Sequence, residues 1–286
     1  NTKKNKENYV IFPVFSNFFV NFVFFVVKKA FRARSSYDDN FPQKEAEDFS
    51  RRIKSNNFES GRKTTEALAG ILNNDFNVLE IGSGPGTLTI PLSKEVRNIT
   101  AVEFSKANLT HLKENLREES ITNVEIINTN WKKINPTAIK DRFDLVICSH
   151  FLWQMEDLEE HLERMENASK GYCAIIQPVG RDKLVTEIFE ELLHRPYSGE
   201  FEPDADYFAY IILREWGRLL RVSCFDYTFD FDLPETVRYI ASYIGKFIEV
   251  DQKVGEKIRN YLLKKSENGS YQVANQAVVM WWEPEE

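Results

Sequence analysis

Asn77-Val78-Leu79-Glu80-Ile81-Gly82-Ser83-Gly84-Pro85-Gly86-Thr87 is the stretch on which the fold turns. Five residues with the character of a buried strand run into three glycines at alternating positions, and Leu88 to Val96 then has helical spacing. A strand that delivers its carboxyl end to a glycine turn and then a helix opens a βα unit. Glycine accepts positive φ and carries no Cβ, so such a turn lets backbone approach a ligand closely. The spacing is G-x-G-x-G. A dinucleotide fingerprint places its third glycine at 87, which is Thr87, so this register is poorly suited to setting a helix N-terminus against a pyrophosphate.

The same alternation continues outward from the turn. Ile99 to Glu103, Val124 to Ile127, Phe143 to Ser149 and Tyr172 to Gln177 read as further strands, separated by helical patterns. Upstream, Glu45 to Ile53 and Lys63 to Leu72 have helical spacing. Strict strand–helix alternation predicts a doubly wound α/β sheet, Rossmann-like and covered on both faces. Downstream come helices at Lys183–His194, Tyr207–Leu219, Pro234–Phe247 and Val254–Lys264, with strands at Arg221–Phe229 and Tyr271–Trp282.

The strand ends carry the chemistry. Glu103, followed by Phe104, closes the second strand 21 residues after Gly82, where doubly wound sheets keep an acid that accepts hydrogen bonds from ribose hydroxyls. Asn130 and Trp131 follow the third strand, an amide to read an adenine edge and an indole to cover its face. Ser149 and His150 end the fourth strand, with Trp153 close behind as a candidate acceptor contact. Together they describe a nucleoside pocket without a phosphate clamp. His111, His161 and His194 fall among charged neighbours and are expected to be solvated, as is the acidic run Glu156 to Glu166.

With 286 residues and 42% hydrophobic content, the chain has ample material for a buried core. Residues 1–34 hold seven basic residues and one acid, whereas the remainder holds 30 Lys and Arg against 43 Asp and Glu. That acidic excess argues against gripping a nucleic-acid backbone, and no nucleic-acid partner is expected. Cys148, Cys173 and Cys224 lie in apolar runs without metal-binding spacing, so they read as buried free thiols in a reducing compartment, and no metal is expected.

Residues 1–34 stand apart as a hydrophobic and basic extension. Tyr9 to Val27 has the length of a membrane span, and Lys28, Lys29, Arg32 and Arg34 would hold the α/β domain on the cytoplasmic side. The alternatives are a translated upstream region that is not native protein or is weakly ordered, and a segment that packs on the domain. The expected location is therefore cytoplasmic, either unattached or anchored and facing the cytoplasm, with membrane contact only if residues 9–27 are a real anchor.

Taken in order, these motifs resemble the class I S-adenosylmethionine-dependent methyltransferases. Val78 to Thr87 matches that family's first motif, Glu103 its ribose acid, and Phe143 to His150 its fourth motif, while Asn130 stands where the family often has Asp. The resemblance implies a seven-stranded sheet, mostly parallel with the last strand antiparallel, and S-adenosylmethionine as methyl donor. It implies donor contacts at Glu80, Gly82, Ser83, Gly84, Gly86, Glu103, Phe104, Asn130, Trp131, Ser149 and His150, with His150 also the candidate catalytic group. Residues 35–286 form the methyltransferase domain in this reading, with helical acceptor-side insertions at about 181–220 and 233–265.

Ser149-His150-Phe151-Leu152 is not the Asp/Asn-Pro-Pro-aromatic signature with which similar enzymes methylate exocyclic amines. Aromatic-rich insertions suit a lid over a small molecule, so the favoured acceptor is a small molecule attacked in line. Protein or RNA methylation, and a non-catalytic S-adenosylmethionine-binding subunit, are the competing expectations.

Overall fold

The computed structural model describes residues 43–285 apart from 153, 154, 156, 198–204, 246 and 266–269. The N-terminal extension, with its candidate anchor, and Trp153 lie outside the described residues. No helix among the described residues is long and apolar enough to cross a membrane.

The strands are β1 Asn77–Ile81, β2 Asn98–Glu103, β3 Val124–Asn128, β4 Phe143–Ser149, β5 Ser169–Val179, β6 Arg221–Asp232 and β7 Ser270–Trp282. They form one sheet in the order β3-β2-β1-β4-β5-β7-β6. Pairing is parallel from β3 through β5, and β7 runs antiparallel to both its neighbours. This is the expected seven-stranded Rossmann-like sheet. β1 has β2 on one side and β4 on the other, so the strand order reverses at its carboxyl end, where such sheets bind ligands.

The helices are α1 Gln43–Ser55, α2 Glu59–Ala67, α3 Thr89–Leu92, α4 Lys106–Glu118, α5 Pro136–Ile139, α6 Leu158–Ala168, α7 Lys183–Leu193, α8 Ala205–Glu215, α9 Leu233–Ile244 and α10 Gln252–Lys265. Side chains alternate across each strand and divide the core in two. Val78, Ile99, Leu145 and Ile147 meet Ile53 of α1, Ile90 of α3 and Leu112 of α4. On the opposite face, Leu79, Ile81, Val146 and Cys148 meet Ile139 of α5, Leu162 and Met165 of α6, and Phe208 and Ile212 of α8. A third core unites Val185 and Phe189 of α7, Ile240 and Ile244 of α9, Ile258 and Leu262 of α10, and Tyr271.

β6 and β7 extend beyond the rest of the sheet. The last β5–β7 pair is Val179 with Gln276, yet β7 continues to pair with β6 as far as Ser270 with Asp232. The resulting two-stranded arm overhangs the carboxyl edge. Half of its outer edge is shielded by side chains before and on α2: Thr228 N–H donates to Glu59, Asn56 donates to the Thr228 carbonyl, and Lys63 donates to the Asp226 carbonyl. Pairing the free groups of an edge strand with side chains blocks a second strand from adding there.

Three expectations need correction. The helix expected over 88–96 is only the four-residue α3, because the positive φ of Gly84 and Gly86 precludes helix before it and Pro91 donates no N–H within it. Cys224 is exposed on the edge strand, whereas Cys148 and Cys173 are buried. The first insertion is divided: α7 joins α9 and α10 of the second in the third core, whereas α8 packs on the sheet itself.

Candidate donor-binding site

The glycine turn is shaped by three positive φ values, +73° at Gly82, +56° at Gly84 and +99° at Gly86, but the three glycines differ in what they face. A Cβ at Gly82 would stand 2.6 Å from the Phe151 ring, and one at Gly86 would stand 2.9 Å from Leu112. At Gly84 it would meet nothing within 4 Å. Gly82 and Gly86 therefore close the turn onto the protein, and Gly84 opens it outward.

Glu103 joins the turn to the end of β2. Its carboxylate is buried and accepts N–H bonds from Gly84 at 2.9 Å and from Phe104 and Ser105 at 2.7 Å each. The Ser105 side chain in turn caps α4 by accepting from the Asn108 N–H. The sequence expectation that the turn and residue 103 lie together is thus met by a direct hydrogen bond.

Glu80, 1% exposed, accepts a 2.7 Å bond from the Thr89 hydroxyl. Burial, with a smaller push from the Glu103 charge, raises its carboxyl to about 8. It is therefore largely protonated at neutral pH. Ser83 is buried too, and its hydroxyl has no hydrogen-bond partner.

After β3 the two neighbouring residues sit in different surroundings. Asn130 is partly exposed, and its side-chain oxygen accepts from the Lys132 N–H at the start of a short turn over Trp131–Lys133. Trp131 is 2% exposed in the core, with its indole N–H donated to His161 Nδ1 at 3.1 Å. A ring so enclosed has no face left for an adenine, which corrects its assignment as a donor contact. His161 is likewise buried rather than solvated, and burial lowers its imidazole to about 3. Of the acidic run, Glu166 is paired rather than solvated: it binds Arg218 and accepts from the Trp282 indole.

Ser149 and His150 end β4 beside the turn, since Ile81 pairs with Cys148. His150 has φ +53° and donates its backbone N–H to the Ile176 carbonyl at 2.8 Å. Burial pulls its imidazole down to about 4, and its ring centroid lies 6.3 Å from that of Tyr227 on the β6–β7 arm. Beyond Tyr227, Phe231 meets Tyr239 of α9, which meets Tyr243. Thr89, Phe151 and Tyr227 were not singled out from the sequence for this site. Only the short step from the glycine turn to Thr89 offered a local signal.

Comparison with known proteins agrees with this arrangement. Residues 72–207 match a family model described as a methyltransferase domain. A ribosomal RNA small subunit methyltransferase A of Wigglesworthia glossinidia brevipalpis is 28% identical over 146 residues, 42% of this chain and 56% of that protein. The namesake from Desulforapulum autotrophicum is 50% identical over 62 residues, 22% of each chain. The chain thus spans about half the length of the first relative and less of the second. Among solved structures, a Bacillus halodurans protein described as a candidate methyltransferase superposes with a TM-score of 0.54 at 14% identity, covering 80% of this chain and all of its own. The YcgJ protein of Bacillus subtilis gives 0.51 at 12%, covering 78% and 98%. At these identities the superpositions speak for the fold. Residues 72–207, just under half of the chain, are similar in sequence to a methyltransferase domain.

Proposed function

We propose that the protein transfers a methyl group from S-adenosylmethionine to a small-molecule acceptor by in-line displacement at the sulfonium methyl. The observation that carries the reading is the joint at Gly84: its N–H binds the Glu103 carboxylate, and open space lies where its side chain would be. The residues present fit such a donor. Ser83 offers a buried hydroxyl without a partner for an amino-acid carboxylate. Glu80 faces the amino group, Glu103 the ribose hydroxyls, and the Asn130 amide the base.

Bound there, S-adenosylmethionine supplies a methyl group already activated by its positive sulfur. The chain's own contribution is alignment and exclusion of water, which together account for much of the acceleration available to such a transfer. Phe151 closes over Gly82 and seals one side. His150, neutral at pH 7 with its imidazole near 4, is a weak base. Its role in this reading is to accept a hydrogen bond from the acceptor and orient the attacking atom. Tyr227, Tyr239 and Tyr243 supply an aromatic wall for a small acceptor.

The names of the relatives favour a second reading, in which the acceptor is RNA. The acidic excess over residues 35–286 and the Ser149-His150-Phe151-Leu152 sequence weigh against it. Incubation with methyl-labelled donor separates the two: label recovered in a low-molecular-weight extract supports the small-molecule reading, and label in the RNA fraction overturns it. For the donor site itself, Glu103→Ala removes the ribose acceptor. Calorimetry with S-adenosylhomocysteine is expected to show affinity reduced by at least tenfold, and unchanged affinity would remove the site from this turn.

A further inference from the structure

α6 presents two polar side chains, His161 and Arg164, toward the turn after β3. Spaced three apart, they share one helix face. His161 accepts the Trp131 indole N–H at 3.1 Å, and both rings are buried. Arg164 donates to the Trp131 carbonyl at 3.0 Å and to the Ile134 carbonyl at 2.8 Å, with its guanidinium carbon 5.1 Å from the centre of the indole. Trp131 is therefore held at ring, backbone and face by one helix.

Nothing in the donor reading uses these groups, and their arrangement is costly. Because His161 Nδ1 accepts, its Nε2 must carry the hydrogen, and that buried N–H has no partner. Arg164 Nε is buried without a partner as well. Polar groups so placed destabilise a core, so a pair retained beneath one turn points to a demand on that turn's geometry. The residue immediately before Trp131 is Asn130. Its oxygen is committed to the Lys132 N–H at 2.9 Å, which leaves the amide NH2 to face a base. An N–H donor suits the acceptor N1 of adenine and opposes hypoxanthine, whose N1 carries a hydrogen.

We propose that His161 and Arg164 are positioning residues for base recognition, which hold Trp131 so that the Asn130 amide reads the adenine N1 of the donor. This rests on the donor reading above. The test compares the affinities of S-adenosylhomocysteine and S-inosylhomocysteine, measured by calorimetry. The intact protein is expected to prefer the adenine form by tenfold or more. His161→Leu replaces a buried imidazole by an apolar group of similar size and is expected to cut that preference to threefold or less. His161→Asn, whose amide oxygen stands in for Nδ1, is expected to restore it. Arg164→Gln, at a side chain that is only partly buried, provides the same readout should the leucine variant fail to fold, with preference again falling to threefold or less.

Equal weakening of both ligands in the leucine or glutamine variant would show a structural role only and overturn the proposal, as would a preference that survives both substitutions. An intact protein that binds both ligands equally overturns the positioning role and leaves the donor site standing. An intact protein that binds neither overturns the donor reading, and the positioning role falls with it.

Discussion

At Gly84 the backbone has φ +56° and open space beside it, while at Gly82 it has φ +73° and the Phe151 ring against it. Alanine therefore has different consequences two residues apart. Gly84→Ala is expected to lower stability by about 1 kcal/mol, the usual penalty for a left-handed alanine, and to reduce donor affinity by tenfold or more. Gly82→Ala adds a clash 2.6 Å from an aromatic ring and is expected to lose at least 2 kcal/mol, visible in denaturant unfolding before any ligand is added. Glu80 sets a pH dependence. Its carboxyl stands near 8 when folded against a reference of 4.5, so it favours the folded state fully below 4.5 and that contribution is lost as pH rises toward 8. Binding has the opposite slope: a donor ammonium favours the ionised carboxylate, so each site filled below pH 8 releases a proton. Donor affinity is expected to rise from pH 6 to 8, and Glu80→Gln to flatten both profiles, as calorimetry and thermal melting would report.

At the scale of elements, α1 reaches the start of α9 through charge. Arg51 binds Asp48 and Glu235, Arg238 also binds Asp48, and Arg52 lies 4.8 Å above the Phe231 ring. Glu235 also closes the capping box with Asp232 at the head of α9. Glu235→Ala removes a cap and leaves the largely buried Arg52 beside one fewer carboxylate. The expected cost is about 2 kcal/mol, measured as a lower midpoint in urea with unchanged slope. Elements whose signals are local were legible in the sequence. The bounds of β1 and β4 follow from apolar runs with clear ends, and Ser105 marks the start of α4. The enclosed Trp131 was not legible, because the residue that claims its indole N–H lies 30 positions away on another helix. The pair Asn130-Trp131 looks alike whether it faces a ligand or the core. The short α3 was obscured in a different way, since periodicity reports which residues are apolar and says nothing about the φ angles that precede them.

For the molecule as a whole, the three cores divide the labour. Two clamp the sheet, and the third stands beyond its carboxyl edge with α7, α9 and α10. The proposed donor site lies on the clamped part, so a ligand that fills it is expected to stabilise the main cooperative unit. At 100 times its dissociation constant, S-adenosylhomocysteine is expected to add about 2.7 kcal/mol, or roughly 5–10 °C in melting temperature. NAD at the same concentration is expected to add nothing, and an equal shift would contradict the glycine register. The acceptor side was the less legible part of the sequence. Aromatic content in 181–265 could not tell the residues of a lid from those of a core, and Phe208 packs in the sheet while Tyr207 of the same helix is about half exposed.

β7 lies between β5 and β6, although β6 comes earlier in the chain. A ribosome therefore delivers the outermost strand about fifty residues before the one that joins it to the sheet. At about 5–20 residues per second, the nascent chain carries Arg221–Asp232 for a few seconds with its inner edge not yet paired to β7. During that interval the five parallel strands can already pair with one another, whereas the outer edge of β5, the overhanging arm and everything docked on it must wait for Ser270–Trp282 to emerge.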